Sequence, residues 1–408
     1  MATFGILVGG GPAPGINGVI KGAVTAACRR GGQVVGILDG FKWIMEGRTD
    51  RVIPLDEARV ADIHLQGGSI LHTARANPTK KKETLENCVK SIESLGLDHL
   101  ITIGGDDTAT SAARVAAEAG RGVTVAHVPK TIDNDLPLPT GVPTFGHETA
   151  REHATAVVER IMKDTETTQR WFFIIAMGRA AGHLALGAGK SAGAPVIIIP
   201  EEFEHPIQLD HVVRVLEGGI VKRLADGRPD GVAVIAEGIM EYLDESDPNL
   251  RDVPRDEHGH IRLAEIPISR ILRDAVRGSL ASRGIKVTIG EKEVGYEVRC
   301  GYPTAFDREY TLDLGVGAVK TLLGGASSVL ITRQEGKIVP IQFAEILDKK
   351  TGKSRTRNVD LESTAYETAR DLQERVTSYD LDDPDKLDAI ARAANLTPEE
   401  ARERYALP

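Results

Sequence analysis

The stretch LITIGGDDTATSAARVA, residues 100–116, decides the fold class. It begins with four apolar or β-branched residues that are typical of a buried strand, and it ends in an Ala-rich segment with helical spacing. Between these parts, Gly104 and Gly105 allow the tight turn by which a strand enters a helix. Two acids, Asp106 and Asp107, follow the turn directly. The stretch therefore predicts a strand, a turn and a helix, with paired carboxylates where an α/β sheet binds its ligands.

The same alternation continues along the chain, as in βαβ units with a mainly parallel sheet. The near-continuous apolarity of the predicted strands suits sheets that are covered on both faces. The predicted strands are Phe4–Val8, Val34–Leu38, His99–Ile103, Val123–Val128, Trp171–Ala176, Val196–Ile199, Val232–Ala236 and Val329–Thr332. The predicted helices are Asn17–Arg30, Thr110–Ala119, Thr149–Lys163 and Leu209–Leu224.

Length and composition indicate a protein of two lobes. The 408 residues are too many for one typical core, and a formal charge of −9 argues against general binding of nucleic acid. Three cysteines without paired spacing indicate a reducing compartment. Since no apolar run is long enough for a membrane span, we expect a cytoplasmic protein that binds neither membrane nor nucleic acid.

Two segments are predicted to lie outside the cores. The polar, Pro-containing stretch Tyr242–His260 predicts a surface insertion. Residues 380–408 are acidic and Ala-rich, with Asp and Pro at a plausible helix start, and predict a peripheral helical tail.

A second glycine-rich turn lies in FGILVGGGPAPGINGVIKGAV, residues 4–24. The glycines Gly9–Gly11 let the backbone approach an oxyanion, and the helix that follows offers free N–H groups. They match neither the dinucleotide fingerprint nor a Walker loop, so a purely structural turn stays an alternative.

The acids of the first stretch indicate a divalent cation. A carboxylate such as Asp106 or Asp107 can hold Mg²⁺ directly or through water, and the metal then neutralises phosphate oxygens. The alternative is helix N-capping by Asp107 or Thr108. Capping alone does not require two consecutive acids.

A third stretch, AHVPKTIDNDLPLPTGVPTFG at residues 126–146, suggests proton transfer. Lys130, Thr131, Asp133 and Asp135 follow one another within it. Such a cluster can place a carboxylate to take a proton from a hydroxyl, beside a cation that steadies charge in the transition state. The alternative is an Asp/Asn turn.

Together these segments resemble the phosphofructokinase family, in order through most of residues 4–320. The pairing of TIDND with MGR is the most specific part of the resemblance. The motifs that carry it are GGGPAPGIN (Gly9–Asn17), GGSILHTAR (Gly67–Arg75), GGDDT (Gly104–Thr108), PKTIDND (Pro129–Asp135), TTQR (Thr167–Arg170), MGRAAG (Met177–Gly182), AEG (Ala236–Gly238) and GYEVRCGYPTAFDR (Gly295–Arg308).

The resemblance implies two Rossmann-like, three-layer α/β lobes with mainly parallel sheets and the active site in the cleft between them. A donor lobe would comprise residues 1–145 with 298–350, and a sugar-phosphate lobe residues 146–297 with 351–379. The family consists of kinases that use Mg²⁺ to transfer a phosphoryl group to the 1-hydroxyl of fructose 6-phosphate, a step of glycolysis.

The resemblance also implies roles for individual residues. Asp133 would be the base that accepts the hydroxyl proton, with Asp135 holding it. Arg170 matches an arginine that reaches across a subunit interface in relatives, which implies a homo-oligomer, either a dimer or a tetramer. The other implied contacts are the transferring group (Thr131, Arg179, Lys130), the donor (Gly11, Arg75, Gly105, Asp107), Mg²⁺ (Asp106), the sugar (Met177, Gly178, Glu237) and the 6-phosphate (Tyr296, Arg299).

Two positions decide the donor. ATP-using bacterial members typically have Gly at the positions of Asp107 and Lys130, whereas pyrophosphate-using members resemble this chain. A carboxylate at position 107 would repel a nucleotide's α-phosphate, and Lys130 would add a cation for a compact donor. We therefore expect a pyrophosphate-dependent enzyme. An ATP-dependent 6-phosphofructokinase, an NAD or lipid kinase, and a non-catalytic sugar-phosphate sensor are the alternatives.

Overall fold

The computed structural model describes residues 1–120, 122–247, 267–346 and 355–406. None of the helices in these ranges is long and apolar enough to span a membrane. The strands are β1 (Thr3–Val8), β2 (Gln33–Ile37), β3 (Val52–Leu55), β4 (His99–Gly104), β5 (Thr124–Pro129), β6 (Trp171–Ala176), β7 (Val196–Ile198), β8 (Gly231–Ala236), β9 (Ile289–Val294), β10 (Val329–Gln334) and β11 (Lys337–Gln342). The helices are α1 (Ile16–Cys28), α2 (Lys82–Ser94), α3 (Asp106–Ala119), α4 (His147–Thr168), α5 (His183–Ala192), α6 (Leu209–Ala225), α7 (Ile239–Tyr242), α8 (Ile268–Ser282), α9 (Tyr296–Arg299), α10 (Ala305–Leu323), α11 (Phe343–Ile346), α12 (Thr364–Leu372), α13 (Ser378–Asp382), α14 (Pro384–Ala394) and α15 (Pro398–Tyr405).

The chain divides into two compact units. Unit 1 comprises Met1–Ala150 and Tyr296–Arg357, and unit 2 comprises Arg151–Gly295 and Asn358–Pro408. The predicted lobes change over after residues 145, 297 and 350. The last of these positions lies outside the described residues.

Unit 1 contains a seven-stranded sheet in the order β11-β10-β5-β4-β1-β2-β3. Its central strands are parallel, and antiparallel β3 and β11 form the edges. The register pairs Val8 with Ile103, and Gly104 with Pro129. Because β1, β4 and β5 end at the same edge of the sheet, the three loops that follow them lie side by side.

The strands of unit 1 bury both faces. Along β1, Ile6 and Val8 pack with α1 and α10, while Leu7 packs with α2 and α3 on the other face. All three side chains are fully buried. Each such burial stabilises the fold by about 1.5–3 kcal/mol, so this apolar strand is placed firmly under the loop that follows it. The mainly parallel, doubly covered sheet confirms the predicted fold class.

Unit 2 contains a four-stranded parallel sheet in the order β7-β8-β6-β9. The strands β6 and β8 pair over their whole length, from Trp171 with Gly231 to Ala176 with Ala236. Their carboxyl ends therefore place the residues that follow them, Met177 and Glu237, next to each other.

The C-terminal residues belong to the core of unit 2 rather than to a peripheral tail. Leu387 and Tyr405, on α14 and α15, are buried in the same apolar cluster as the strands. Glu217 of α6 is fully buried and accepts hydrogen bonds from Arg404 and Tyr405. Although burial raises the pKa of Glu217, these hydrogen bonds and that of Ser279 hold it at about 2. The segment is helical as predicted, but its apolar faces are covered.

The predicted surface insertion Tyr242–His260 lies largely outside the described residues. The structure describes it only as far as Asp247, where the Ser246 backbone N–H donates to Asp244 Oδ1 at 2.9 Å.

Candidate active site

The loop after β1 needs glycine at two positions. A Cβ atom at Gly9 would lie 2.5 Å from Thr108 Oγ1, so the backbone and the start of α3 approach too closely for a side chain. Gly10 has a φ of 81°, which favours glycine. The helix α1 begins only at Ile16, after the Pro12–Gly15 segment, and its first residues are buried. The helix therefore begins well after Gly11, and the expectation that its N–H groups serve an oxyanion stays a prediction.

The segment that carries Arg75 lies along this loop. The Gly10 backbone N–H donates to Ala74 O at 3.1 Å, and the Thr73 hydroxyl donates to Gly10 O at 2.7 Å. Arg75 is exposed directly after these contacts. The structure therefore brings Arg75 to the loop that carries Gly11.

The loop after β4 places both acids in the first turn of α3. Gly105 occupies the N-cap position and no side chain caps the helix, so the capping alternative for Asp107 and Thr108 is wrong. Asp106 is half-buried and Asp107 is exposed. Acids in the first turn are favoured by the helix dipole, so the fold tolerates two of them.

A buried histidine that none of the sequence motifs contains as a predicted site residue supports this loop. His127 on β5 is fully buried, and its Nε2–H donates to Gly104 O at 3.0 Å while its Nδ1 accepts from the Thr102 hydroxyl at 2.8 Å. Burial lowers the pKa of His127 to about 3, so the ring is neutral. The signal in the sequence is a histidine within the otherwise apolar run from Val125 to Val128.

Lys130 interacts with residues of the three loops that follow β1, β4 and β5. Its side chain is 4% exposed, and its ammonium donates a hydrogen bond to Gly11 O. Burial lowers the pKa of Lys130 from 10.5 to about 8; the nearby Arg299 also lowers it, while Asp133, Asp106 and Asp135 raise it. The acids and cations of these loops therefore lie close enough to influence one another.

The turn after Lys130 is closed by a threonine. Thr131 Oγ1 accepts the Asp133 backbone N–H at 3.0 Å, and both residues are 8% exposed. The next residue, Asn134, has a φ of 58°. Turn geometry is thus present, as the Asp/Asn-turn alternative requires. Because the side chain of Thr131 closes the turn, turn formation does not explain why position 133 carries a carboxylate.

Tyr296 and Arg299 belong to unit 1. They lie at the two ends of the single-turn helix α9, with the Arg299 guanidinium carbon 5.2 Å from the Tyr296 ring centroid. Tyr296 is 80% exposed. A Cβ at Gly11 would lie 3.9 Å from the same guanidinium carbon. The structure therefore brings Arg299 to the loop after β1.

The donor set at Asp106 fits a magnesium ion that is shared with a phosphate ligand. Among the residues described, no group of three His, Cys, Asp or Glu side chains could hold a metal by itself. Mg²⁺ is usually bound by one or two carboxylates together with substrate phosphates and water. A single half-buried carboxylate beside Lys130 matches that mode and does not match a cage built from protein alone.

The predicted sugar residues of unit 2 form a second group. Glu237 follows β8, and its Oε1 accepts the backbone N–H groups of Gly178 at 3.0 Å and Arg179 at 2.8 Å. Arg179 has a φ of 53°, and the Met177 N–H donates to Val294 O at 2.9 Å. One carboxylate oxygen of Glu237 therefore fixes the loop that carries the other three residues.

Arg170 is not brought to that group. It precedes β6, whereas Met177 follows it, which separates them by roughly 20 Å of extended strand. Its guanidinium pairs with Asp164 at 2.7 Å and stacks over Phe172 at 5.0 Å. Within one chain, Arg170 lies at the opposite end of the sheet from Met177, Arg179 and Glu237.

The geometry of unit 1 is suited to a compact, highly charged anion. Loop backbone, Lys130 and Arg299 supply positive charge, and Asp106 and Asp133 supply carboxylates that can bind a metal or accept a proton. Phosphoryl transfer requires this combination of positioning and charge neutralisation.

Comparison with known proteins agrees with this interpretation of the site. The family model described as Phosphofructokinase matches residues 3–322. A pyrophosphate–fructose 6-phosphate 1-phosphotransferase of Thermotoga maritima is 48% identical over 410 residues, covering 98% of this chain and 97% of that protein. One of Naegleria fowleri is 46% identical over 411 residues, with coverage of 98% and 94%. An ATP-dependent 6-phosphofructokinase of Mycobacterium bovis is 34% identical over 347 residues, with coverage of 85% and 94%.

A solved structure shares the fold. The crystal structure of a pyrophosphate-dependent phosphofructokinase from Marinobacter aquaeolei superimposes with a TM-score of 0.69, covering 91% of this chain and 90% of that one. The two sequences are 18% identical, so this likeness concerns the fold alone.

Proposed function

The chain belongs to the phosphofructokinase family, and we propose that it transfers a phosphoryl group reversibly from pyrophosphate to the 1-hydroxyl of fructose 6-phosphate. The products are fructose 1,6-bisphosphate and phosphate, which places the reaction in glycolysis and, in reverse, in gluconeogenesis. The relatives named for this reaction align with nearly the whole chain. The ATP-dependent relative is less similar.

The observation that carries the choice of donor is the position of Asp107 and Lys130. Asp107 is exposed in the first turn of α3, beside the phosphate loop, where its charge would oppose the α-phosphate of a nucleotide. Lys130 is a buried cation at Gly11, suited to a small donor that has no adenosine to bind. Pyrophosphate has no nucleotide α-phosphate for Asp107 to repel, and it is a small donor without adenosine.

Asp133 is the base in this proposal. Its carboxylate accepts the proton of the 1-hydroxyl as the sugar oxygen forms a bond to the transferred phosphorus. The bond from that phosphorus to the bridging oxygen breaks, and the electron pair leaves with phosphate. The low exposure of Asp133 strengthens its electrostatic interactions. Because Thr131 Oγ1 already accepts a backbone N–H, its hydroxyl hydrogen is left for the transferring group.

Positive charge offsets the charge of the donor. Lys130 and Arg179 would neutralise the transferring group, and Arg75 with the backbone of Gly11 and Gly105 would hold the donor. Mg²⁺ bound by Asp106 and donor oxygens would supply further neutralisation of the phosphates. Asp135 would hold the base in position.

The remaining residues bind the sugar phosphate. Since Glu237 Oε1 is engaged by Gly178 and Arg179, its Oε2 is the oxygen for a sugar hydroxyl, with Met177 packing beside it. Tyr296 and Arg299 would bind the 6-phosphate.

Arg170 would reach the sugar phosphate from a neighbouring subunit. Its position at the far end of β6 supports that role, because within its own chain it does not approach Met177. The proposal therefore includes a homo-oligomer, a dimer or a tetramer.

Product analysis tests the reaction. Purified protein with fructose 6-phosphate, pyrophosphate and Mg²⁺ should form fructose 1,6-bisphosphate and phosphate, and the reverse mixture should form pyrophosphate, as followed by phosphorus NMR. If fructose 6-phosphate binds in calorimetry but no donor is consumed in either direction, the chain is a sugar-phosphate sensor and the proposed function is wrong.

A further inference from the structure

Arg357, which carries no role in the proposed reaction, contacts the catalytic turn from a distant part of the chain. Its Nε donates to Asn134 O at 2.9 Å, its Nη1 donates to Val142 O at 2.8 Å, and its Nη2 donates to Asn134 Oδ1. The Arg357 backbone N–H donates to Asp135 O at 2.7 Å. A single residue therefore makes four hydrogen bonds to the segment that begins one residue after Asp133.

The segment is closed on itself around Asn134. Its side-chain oxygen also accepts the Thr144 backbone N–H at 3.0 Å, and the Thr144 hydroxyl donates to Thr131 O at 2.9 Å. Asn134 is held at a φ of 58°, a conformation that few residues other than glycine and asparagine adopt readily. The turn thus depends on these hydrogen bonds for its shape.

The guanidinium of Arg357 is a permanent charge in this setting. Burial lowers its pKa, and the carboxylate of Asp135 opposes that change. Since the ordinary pKa of arginine is above 12, the group stays protonated at every working pH. A planar fork with several fixed donors can serve three acceptors at once, which a lysine ammonium on a flexible stem does poorly.

We propose that Arg357 is a positioning residue for phosphoryl transfer, which acts by fixing the Thr131–Asp135 turn and thereby the carboxylates of Asp133 and Asp135. The inference rests on the proposed function, in which Asp133 is the base. It predicts that Arg357 affects the chemical step more than the binding of either substrate, because its guanidinium donates to the segment that follows Asp133.

The test compares Arg357→Lys and Arg357→Ala with the wild-type protein. Misplacement of a catalytic group by about 1 Å costs about a hundredfold in rate, so we expect kcat to fall about a hundredfold in Arg357→Ala. We expect a smaller loss in Arg357→Lys and little change in KM for either substrate. Wild-type kcat in both variants would overturn the inference.

Arg223→Ala is the matched control. Arg223 is 8% exposed and, like Arg357, donates to a backbone carbonyl, Asp230 O, and also to carboxylates, but it belongs to unit 2 and these contacts are not to the turn. Its loss should lower Tm and leave kcat of the folded protein unchanged. An equal fall of kcat in Arg223→Ala and Arg357→Ala would mean that general destabilisation, and not positioning, explains the effect.

A second background separates positioning from a structural role. If Arg357 acts through Asp133, Arg357→Ala should reduce the residual rate of Asp133→Asn very little. A further hundredfold loss in that background would contradict the inference. Hydrogen exchange of residues 131–144, which should accelerate in Arg357→Ala, needs no activity. It therefore tests whether Arg357 holds the turn even if the wild-type protein transfers no phosphoryl group. Such a lack of activity would count against the proposed function alone.

Discussion

The buried ammonium of Lys130 donates a hydrogen bond to the backbone carbonyl oxygen of Gly11 and so joins the loop after β5 to the loop after β1. A positive charge is thereby held at the edge where three parallel strands end, although the protein must remove it from water. The free energy of that desolvation is the origin of the low pKa of Lys130. In the proposed function this position serves the binding of an anion, and it does so at the expense of stability.

The first prediction follows from the pKa of Lys130, about 8 in the folded protein against 10.5 ordinarily. Between these values the unfolded chain binds the proton and the folded chain does not, so folding stability from this group rises with pH. Relative to Lys130→Met, the wild type should gain up to about 3 kcal/mol as pH rises from 8 to 10.5. Thermal unfolding of both proteins across this range measures the difference. A difference in Tm that does not change with pH would contradict the low pKa.

The second prediction concerns Asp107. Because Asp107 is exposed, water screens its charge, and repulsion of a nucleotide phosphate of about 1–4 kcal/mol corresponds to about 5- to 1,000-fold in affinity. We expect Asp107→Gly, alone and combined with Lys130→Gly, to raise the ratio of kcat/KM for ATP to that for pyrophosphate. An unchanged ratio in the double variant would show that the obstacle to nucleotide lies elsewhere.

The third prediction concerns the base. Asp133→Asn and Asp133→Ser remove the proton acceptor and should lower kcat by about 10²–10⁴-fold, the usual contribution of general base catalysis. Pyrophosphate should still raise the Tm of both variants, because the donor contacts lie elsewhere. Retention of the wild-type rate in Asp133→Ser would remove Asp133 from the mechanism.

The fourth prediction distinguishes the two proposed roles of Glu237, in which Oε1 holds the loop and Oε2 binds a sugar hydroxyl. Glu237→Gln keeps an acceptor for the N–H groups of Gly178 and Arg179, whereas Glu237→Ala leaves both unsatisfied. Hydrogen bonds to a charged group contribute about 1.5–3 kcal/mol, so KM for fructose 6-phosphate should rise about 10- to 100-fold in the alanine variant. The glutamine variant should show a smaller rise. Equal values in both would mean that the loop does not depend on Glu237.

Much of the fold could be predicted because the buried parallel strands are continuous apolar runs. The structure contains every predicted strand, and β6 agrees at both ends. The missed strands β3 and β11 lie at sheet edges and contain Pro54 and Pro340, and the missed β9 is rich in charge. Edge strands need only one covered face, so their sequences carry a weak pattern.

The C-terminal helices show a different limit. Periodicity predicts the helices of residues 380–408, but it does not say which surface their apolar faces cover. Burial of Leu387 and Tyr405 depends on α6 and α8, which are distant in sequence. A peripheral tail and a part of the core therefore have the same local pattern.

The candidate site was predictable where motifs are local, and its supporting residues were not. His127 supports Gly104 through a contact across 23 residues, and Arg357 reaches Asn134 across 223. Neither pairing leaves a spacing that can be read along the chain. Both contacts depend on how distant strands and loops fold together.

The most direct test of the central claim is a comparison of donors at saturating fructose 6-phosphate and Mg²⁺. Turnover is measured with pyrophosphate, ATP, ADP and polyphosphate, and fructose 1,6-bisphosphate is the product quantified. We predict that pyrophosphate supports faster turnover than ATP at every donor concentration. Turnover with ATP that equals or exceeds turnover with pyrophosphate would contradict the account.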